Sequence, residues 1–206
     1  MGRWKKGLTL YFAMLKKIRF YIACPIETKF QGGFAVEDLK PYIRDIPDFP
    51  KPGVVFKDIT TLLKDKKVFN QVIDHLADRY KDKGIEKVVG VEARGFIFGA
   101  ALAHALGAGF IPVRKEKKLP HETIKEMYEL EYGTDVVEIH KDAVVPRERV
   151  VVMDDLLATG GTLSATCQLV EKLRGDIVEV VTIIELSFLN GRKKLERYPY
   201  YTMIIY

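Results

Sequence analysis

Asp154 and Asp155 stand side by side a few residues before Thr159-Gly160-Gly161-Thr162, and the two groups suit different parts of one ligand. Glycines let backbone N–H groups converge on an oxyanion. A helix starting after such a loop adds the positive end of its dipole, and Thr159 and Thr162 add hydroxyl donors, so a monophosphate can be held without lysine. The paired carboxylates are badly placed for phosphate but well suited to accept hydrogen bonds from vicinal ribose hydroxyls, or to approach a metal-bound sugar. The stretch Asp154, Asp155, Leu156, Leu157, Ala158, Thr159, Gly160, Gly161, Thr162 therefore describes a ribose 5-phosphate site. The plainer alternative is an N-cap threonine after a Gly-rich turn, with two solvated acids at a strand end.

A second group is Glu92-Ala93-Arg94-Gly95. Arg94, with the backbone from Glu92 to Gly95, can bind another anion by fork geometry and helix dipole, and beside the first cradle this points to pyrophosphate. Taken alone, Arg94 is equally well an exposed strand-end charge. Arg114-Lys115-Glu116-Lys117-Lys118-Leu119-Pro120 is a basic run, the usual mark of a solvated face. Residues 46–60, with Pro47, Pro50 and Pro52, are too punctuated for regular helix or central strand. They form either a loop that presents backbone polar groups or an arm that packs Phe49, Val54 and Phe56 on the core.

These groups need strand ends and helix starts to hold them, and the patterning provides both. Val88 to Val91, Phe110 to Val113, Val150 to Met153 and Ile177 to Leu186 read as strands. Val68, Val72, Ile73, Leu76 and Tyr80 recur at helical spacing; Phe96 to Leu106 is a small-residue helix stopped by Gly107; Leu163, Cys167, Val170 and Leu173 form a third helical stripe. Tyr128, Leu130 and Tyr132 alternate with Glu129 and Glu131, and after Gly133 Val137 and Ile139 alternate with Glu138 and His140, which predicts a β-hairpin that stands as a flap. Alternating strand and helix predicts an α/β fold with a parallel sheet, whose ligands sit at the carboxyl ends of the strands.

The whole chain has 206 residues, 48% hydrophobic and 30% charged, which suits one globular domain and excludes disorder, collagen and a small disulfide-stapled fold. Its net charge of +5 and pI near 9.0 would by themselves hint at nucleic acid or an anionic membrane. Yet residues 1–26 carry six basic side chains and no acid, leaving 27 basic and 28 acidic residues in the remaining 180. The positive excess thus belongs to the N-terminus. Residues 1–35 read as an extension outside the fold, joined by Gln31-Gly32-Gly33, with the domain spanning 36–206; a targeting signal or an amphipathic surface helix is the alternative reading. No run approaches the roughly 18 apolar residues of a spanning helix. Cys24 and Cys167 make neither a disulfide framework nor a four-ligand zinc site, so a reducing compartment is expected. The histidines are scattered, no protein-bound metal is indicated, and neither a dinucleotide nor a P-loop fingerprint occurs. Cys167, on an apolar stripe, reads as core.

Residues 150–162 resemble the thirteen-residue phosphoribosyl pyrophosphate signature of the type I phosphoribosyltransferases, and Leu-Leu-Ala-Thr-Gly-Gly-Thr is similar to the adenine branch of that family. The resemblance runs from about Glu37 to Tyr200 and includes four motifs in the family's order. It implies the type I phosphoribosyltransferase fold, a central, mainly parallel sheet flanked by helices, with a β-hairpin flap and an N-terminal base-binding arm. It assigns Glu92, Ala93, Arg94 and Gly95, with Arg114, Lys115 and Lys118, to pyrophosphate; relatives usually have glycine where this chain has Lys117. It assigns Val55, Phe56 and Lys57 to adenine, through the peptide groups of Val55 and Lys57 and the ring of Phe56. Glu131 matches the carboxylate that exchanges a proton with adenine N7, and Tyr132 helps close the site.

The implied reaction is adenine plus 5-phosphoribosyl 1-pyrophosphate to AMP plus pyrophosphate, with Mg2+ carried by the donor. The resemblance also implies a cytoplasmic homodimer without nucleic-acid or membrane partners. Two other readings remain open: transfer to another purine, and a non-catalytic regulator that senses phosphoribosyl pyrophosphate.

Overall fold

The computed structural model describes residues 36–129 and 133–206. The N-terminal segment 1–35 and the hairpin tip with Leu130, Glu131 and Tyr132 lie outside the described residues. After a 3-10 turn at Val36–Tyr42, strands β1 (Arg44–Ile46) and β2 (Phe56–Asp58) pair as an antiparallel ribbon. Helices α1 (Thr60–Lys64) and α2 (Lys66–Tyr80) lead to β3 (Lys87–Val91), α3 (Gly95–Leu106) and β4 (Gly109–Lys115). The hairpin β5 (Thr123–Glu129) and β6 (Thr134–His140) follows, then β7 (Arg149–Leu157), α4 (Gly161–Lys172), β8 (Asp176–Glu185) and β9 (Tyr200–Ile205).

The main sheet has seven strands in the order β5-β6-β4-β3-β7-β8-β9. β4, β3, β7, β8 and β9 run parallel, and the hairpin adds its two strands antiparallel at the β4 edge. Near-continuous Val/Ile runs are what a sheet covered on both faces requires, and alternate residues supply two cores. Val88, Val151, Met153, Val181 and Ile183 meet Val72 and Leu76 of α2 and Phe98 and Leu102 of α3. Their neighbours Val89, Val91, Val150, Val152 and Val180 meet Leu163, Cys167 and Val170 of α4.

The sequence signals hold locally for physical reasons. Asp65 caps α2 by accepting from the amides of Lys67 and Val68, and Gly107 ends α3 at φ 66°. Cys167 is fully buried, and burial pushes its thiol far above its ordinary range, as expected of a core residue.

One expectation is corrected, and one polar residue lies deeper than alternation alone indicates. The strand expected to stop at Met153 continues through Asp154, Asp155 and Leu156 to Leu157, because β8 remains beside it, with Asp154 opposite Thr182 and Leu157 opposite Glu185. A charged pair ends a strand only when no neighbour extends the ladder. In β6, alternation puts Glu138 on the polar face, yet it is 2% exposed, because the chain after β4 covers it and the amides of Lys118 and Leu119 donate to its Oε1.

The ribbon is pinned through Asp58, whose Oδ2 accepts from Arg44 Nε at 3.0 Å and whose Oδ1 accepts from the Thr60 amide at 2.9 Å. The Arg44 hydrogen bond, with those from Thr60, brings the Asp58 pKa down to about 2. A lowered carboxylate pKa contributes stability that is fully present above the unfolded value near 3.8 and is lost as pH falls through about 2. Asp58→Asn is therefore expected to lower stability at pH 7, and the gap to the parent protein should close between about pH 4 and pH 2, as followed by urea unfolding at stepped pH.

Candidate active site

β4, β3 and β7 are adjacent and parallel, so their carboxyl ends open side by side, and each passes the chain to one of the expected groups. Beyond β7, Ala158, Thr159 and Gly160 turn into α4, with Gly160 at φ 78° and Gly161 and Thr162 in the first helical turn. A cavity of about 70 Å³ lies within this turn, lined by Asp154 and the chain from Leu156 to Leu163. Amides and hydroxyls around a small hollow at a helix N-terminus form the arrangement that binds an oxyanion.

Behind the turn sits a residue that the sequence reading missed. A Cβ on Gly160 would stand 2.4 Å from the carbonyl oxygen of Gly191, and one on Gly191 would stand 2.1 Å from that of Ala158. The two backbones touch, so the turn between β8 and β9 buttresses the cradle. Asn190-Gly191 is a common turn pair, but nothing local shows that it meets residue 160.

Asp155 is 5% exposed, and Arg94 Nε lies 2.7 Å from its Oδ2 in an ion pair without the alignment of a hydrogen bond. The neighbouring Asp154 accepts the Asp155 amide at 2.8 Å. Burial, and then the charge of Asp155, push the Asp154 carboxyl well above its ordinary range; burial also raises Asp155, against the pull of Arg94. Carboxylate oxygens at this strand end can accept hydrogen bonds from hydroxyl groups.

Arg94 is the residue before α3, between exposed Ala93 and buried Gly95, and its guanidinium lies 5.1 Å from the centre of the Phe56 ring. One arginine thus joins the acidic pair to the arm. Val55 is exposed, Phe56 meets Phe49 edge-on with ring centres 5.2 Å apart, and Lys57 reaches Asp45 at 2.7 Å and the face of Tyr206. The arm is a loop between β1 and β2, so Phe56 and Lys57 are extended in a short strand outside the main sheet, in keeping with the exclusion of helix and central strand.

The basic group converges on one carboxylate. Glu92 accepts from Arg114 Nε and Nη2 at 3.2 Å, from Lys118 Nζ at 2.7 Å and from the Lys115 amide at 3.2 Å. Burial opposes its charge, but the hydrogen bonds from Arg114 and Lys118 prevail and bring its pKa down to about 2. Lys115 Nζ turns instead to Asp135 at 2.7 Å, and Tyr128 Oη donates to the same carboxylate oxygen at 3.2 Å. Glu92, Lys115, Tyr128, Asp135, Asp154 and Thr162 line a cleft of about 270 Å³. Asp154 and Thr162 line the phosphate-sized hollow as well, so the two spaces share a wall.

Comparison with known proteins places this arrangement. Residues 58–205 match the model of the phosphoribosyl transferase domain. The chain is 58% identical over 169 residues, 82% of its length and 99% of the relative's, to an adenine phosphoribosyltransferase of Trichlorobacter lovleyi. This chain belongs to the adenine phosphoribosyltransferases. A crystal structure of the enzyme from Thermoanaerobacter pseudethanolicus superposes with a TM-score of 0.80 at 54% identity, covering 83% of this chain and 99% of that one. The Saccharomyces cerevisiae adenine phosphoribosyltransferase, crystallised with an imino-altritol bisphosphate and adenine, superposes with a TM-score of 0.78 at 41% identity, covering 82% of this chain and 98% of that one.

Lys117 adopts φ 66°, a conformation glycine takes at no steric cost, and the loop keeps that turn with a lysine in it. Glu131 and Tyr132 lie outside the described residues, but their bracket is defined, since Glu129 pairs with Thr134 across the hairpin and Tyr128 lies against Gly161. The stem of the hairpin therefore rests on the turn into α4.

Proposed function

We propose that this chain transfers the phosphoribosyl group of 5-phosphoribosyl 1-pyrophosphate to adenine, forming AMP and releasing pyrophosphate. The observation that carries this reading is the shared wall at Asp154 and Thr162: a phosphate-sized hollow on one side, a cleft with Glu92, Lys115 and Asp135 on the other, and an aromatic arm tied in by Arg94. A ribose between two anionic ends fits that sequence of surfaces.

In this reading the turn from Ala158 to Thr162 holds the 5-phosphate, Asp154 and Asp155 accept from the ribose hydroxyls, and Arg94, Arg114, Lys115 and Lys118 hold the pyrophosphate. Val55 and Lys57 pair with adenine through their peptide groups, and the Phe56 ring stacks on it. Glu131 takes the purine proton while the flap shuts out the water that would hydrolyse an oxocarbenium-like state. Catalysis is then positional and electrostatic.

Magnesium belongs to the same reading. Among the described residues no three carboxylate, histidine or cysteine groups converge as a metal cage, whereas Asp154 offers a hard oxygen donor on the cleft wall. That donor fits a cation carried with the pyrophosphate substrate and held mostly by substrate oxygens and water. Bound there, magnesium would neutralise charge on the pyrophosphate.

Among the described residues no helix is long and apolar enough to cross a membrane. The family resemblance supports a cytoplasmic homodimer, which sedimentation would test. It also supports activity confined to residues 36–206, and a chain beginning at Val36 is expected to keep full turnover.

The decisive assay offers adenine, hypoxanthine, guanine and xanthine with the donor and magnesium. Turnover with adenine is expected to exceed the others by at least about 100-fold, because the 6-oxo purines present a different hydrogen-bonding edge to the arm. A preference for another purine overturns the acceptor, and donor binding without any turnover overturns catalysis.

A further inference from the structure

The four basic side chains assigned to pyrophosphate all face carboxylates already. Arg94 is 2.7 Å from Asp155, Lys115 is 2.7 Å from Asp135, and Arg114 and Lys118 share Glu92 at 3.2 and 2.7 Å. Glu92 and Asp135 line the same cleft. The backbone that carries these cations has separate anchors. Glu138 Oε1 accepts the amides of Lys118 and Leu119 at 3.1 and 3.2 Å, and β4 pairs with β6 at Arg114 and Lys115. Glu92 accepts the Lys115 amide as well, but its other contacts, like that of Asp135 with Lys115, are to the charged ends of the basic side chains.

We propose that the carboxylates of Glu92 and Asp135 are built-in competitors of pyrophosphate: they hold its cationic ligands between turnovers and reclaim them as the product leaves. The proposal rests on the reading of Arg114, Lys115 and Lys118 as pyrophosphate ligands.

The physical need is clear from the charges. A multiply charged anion facing several unopposed cations in a narrow cleft leaves slowly, and product release limits turnover in many well-evolved enzymes. If each cation must exchange one carboxylate partner for another, only the difference between two charge-assisted hydrogen bonds favours the product. The aligned geometry is kept while the affinity is moderated. Glu92 and Asp135 are in this sense positioning residues, acting through Arg114, Lys115 and Lys118.

The test is calorimetric titration of inorganic pyrophosphate with magnesium into the full chain and its Glu92→Gln and Asp135→Asn variants, each checked for folding by its melting curve. Both amides keep the shape and remove the competing charge. Kd is expected to fall about tenfold in each, the size of one charge-assisted hydrogen bond, with pyrophosphate release slowed by a similar factor in stopped flow. A residue that merely holds the fold together would instead weaken binding. A folded variant of either kind that binds pyrophosphate no more tightly than the parent protein overturns the proposal, and Asp135→Asn decides if Glu92→Gln fails to fold.

Arg114→Ala separates the two levels of the argument. If it leaves pyrophosphate affinity unchanged, the ligand assignment fails and the exchange falls with it. If it weakens binding while the amide variants do not tighten it, the exchange alone is wrong.

Discussion

Gly160→Ala is expected to lower kcat/KM for phosphoribosyl pyrophosphate at least about 100-fold. Residue 160 sits at φ 78°, where an alanine is strained by about 1–2 kcal/mol from its own backbone alone. Its methyl would also stand 2.4 Å from the Gly191 carbonyl oxygen, a backbone atom with no freedom to swing aside. One of the two turns has to move, and either displacement opens the hollow in which the 5-phosphate is to be held. An error of about 1 Å in such a cradle costs on the order of 100-fold.

The loss should appear as weaker donor binding in calorimetry. Gly191→Ala should reproduce it from the other side of the contact, since its methyl would meet the Ala158 carbonyl oxygen at 2.1 Å. Donor affinity unchanged in both variants would remove this turn from the donor site.

The second large effect concerns Glu131. Glu131→Gln preserves shape and hydrogen-bonding reach but cannot take a proton from the purine. Turnover is expected to fall by about 10²–10⁴, the usual contribution of a general acid or base, with the KM for adenine changed only a few-fold. Loss confined to kcat identifies an interaction made in the transition state; an equal rise in KM would make Glu131 a binding residue instead. The described stem of the hairpin ends beside the turn at residues 159–162. Glu129 and Thr134 pair on either side of residues 130–132, and Tyr128 rests on Gly161 at the start of α4.

Much of this was legible along the chain because it is short-range. Strands with Val-rich runs, the stripe of α2, the Gly107 stop and the acid–turn–helix succession after β7 each depend on residues within a few positions of one another. The anion cradle is readable for the same reason: glycine, hydroxyl and helix start are contiguous. The boundary of β7 was misplaced because β8, more than twenty residues on, decides how far the ladder runs. Glu138 keeps the polar side of β6 opposite Arg114 and Lys125, and only its burial was not legible, because a loop from a different strand covers it.

Residue types, their spacing and the family pattern thus determined by themselves the α/β class, the Gly-rich turn into a helix, the acidic pair and the Pro-punctuated arm. Tertiary structure alone decided which groups meet. Gly191 against Gly160, Arg94 between Asp155 and Phe56, Lys115 on Asp135, and Arg114 with Lys118 on Glu92 all join residues at least 20 positions apart in the chain. Local preference acts over a turn or a strand, whereas these pairs exist only because the strand order brings the carboxyl ends of β4, β3, β7 and β8 together, with the hairpin and the β1–β2 ribbon beside them. The basic residues that read as ligands for one substrate are, in the folded protein, already matched by acids, and only the fold could show that balance.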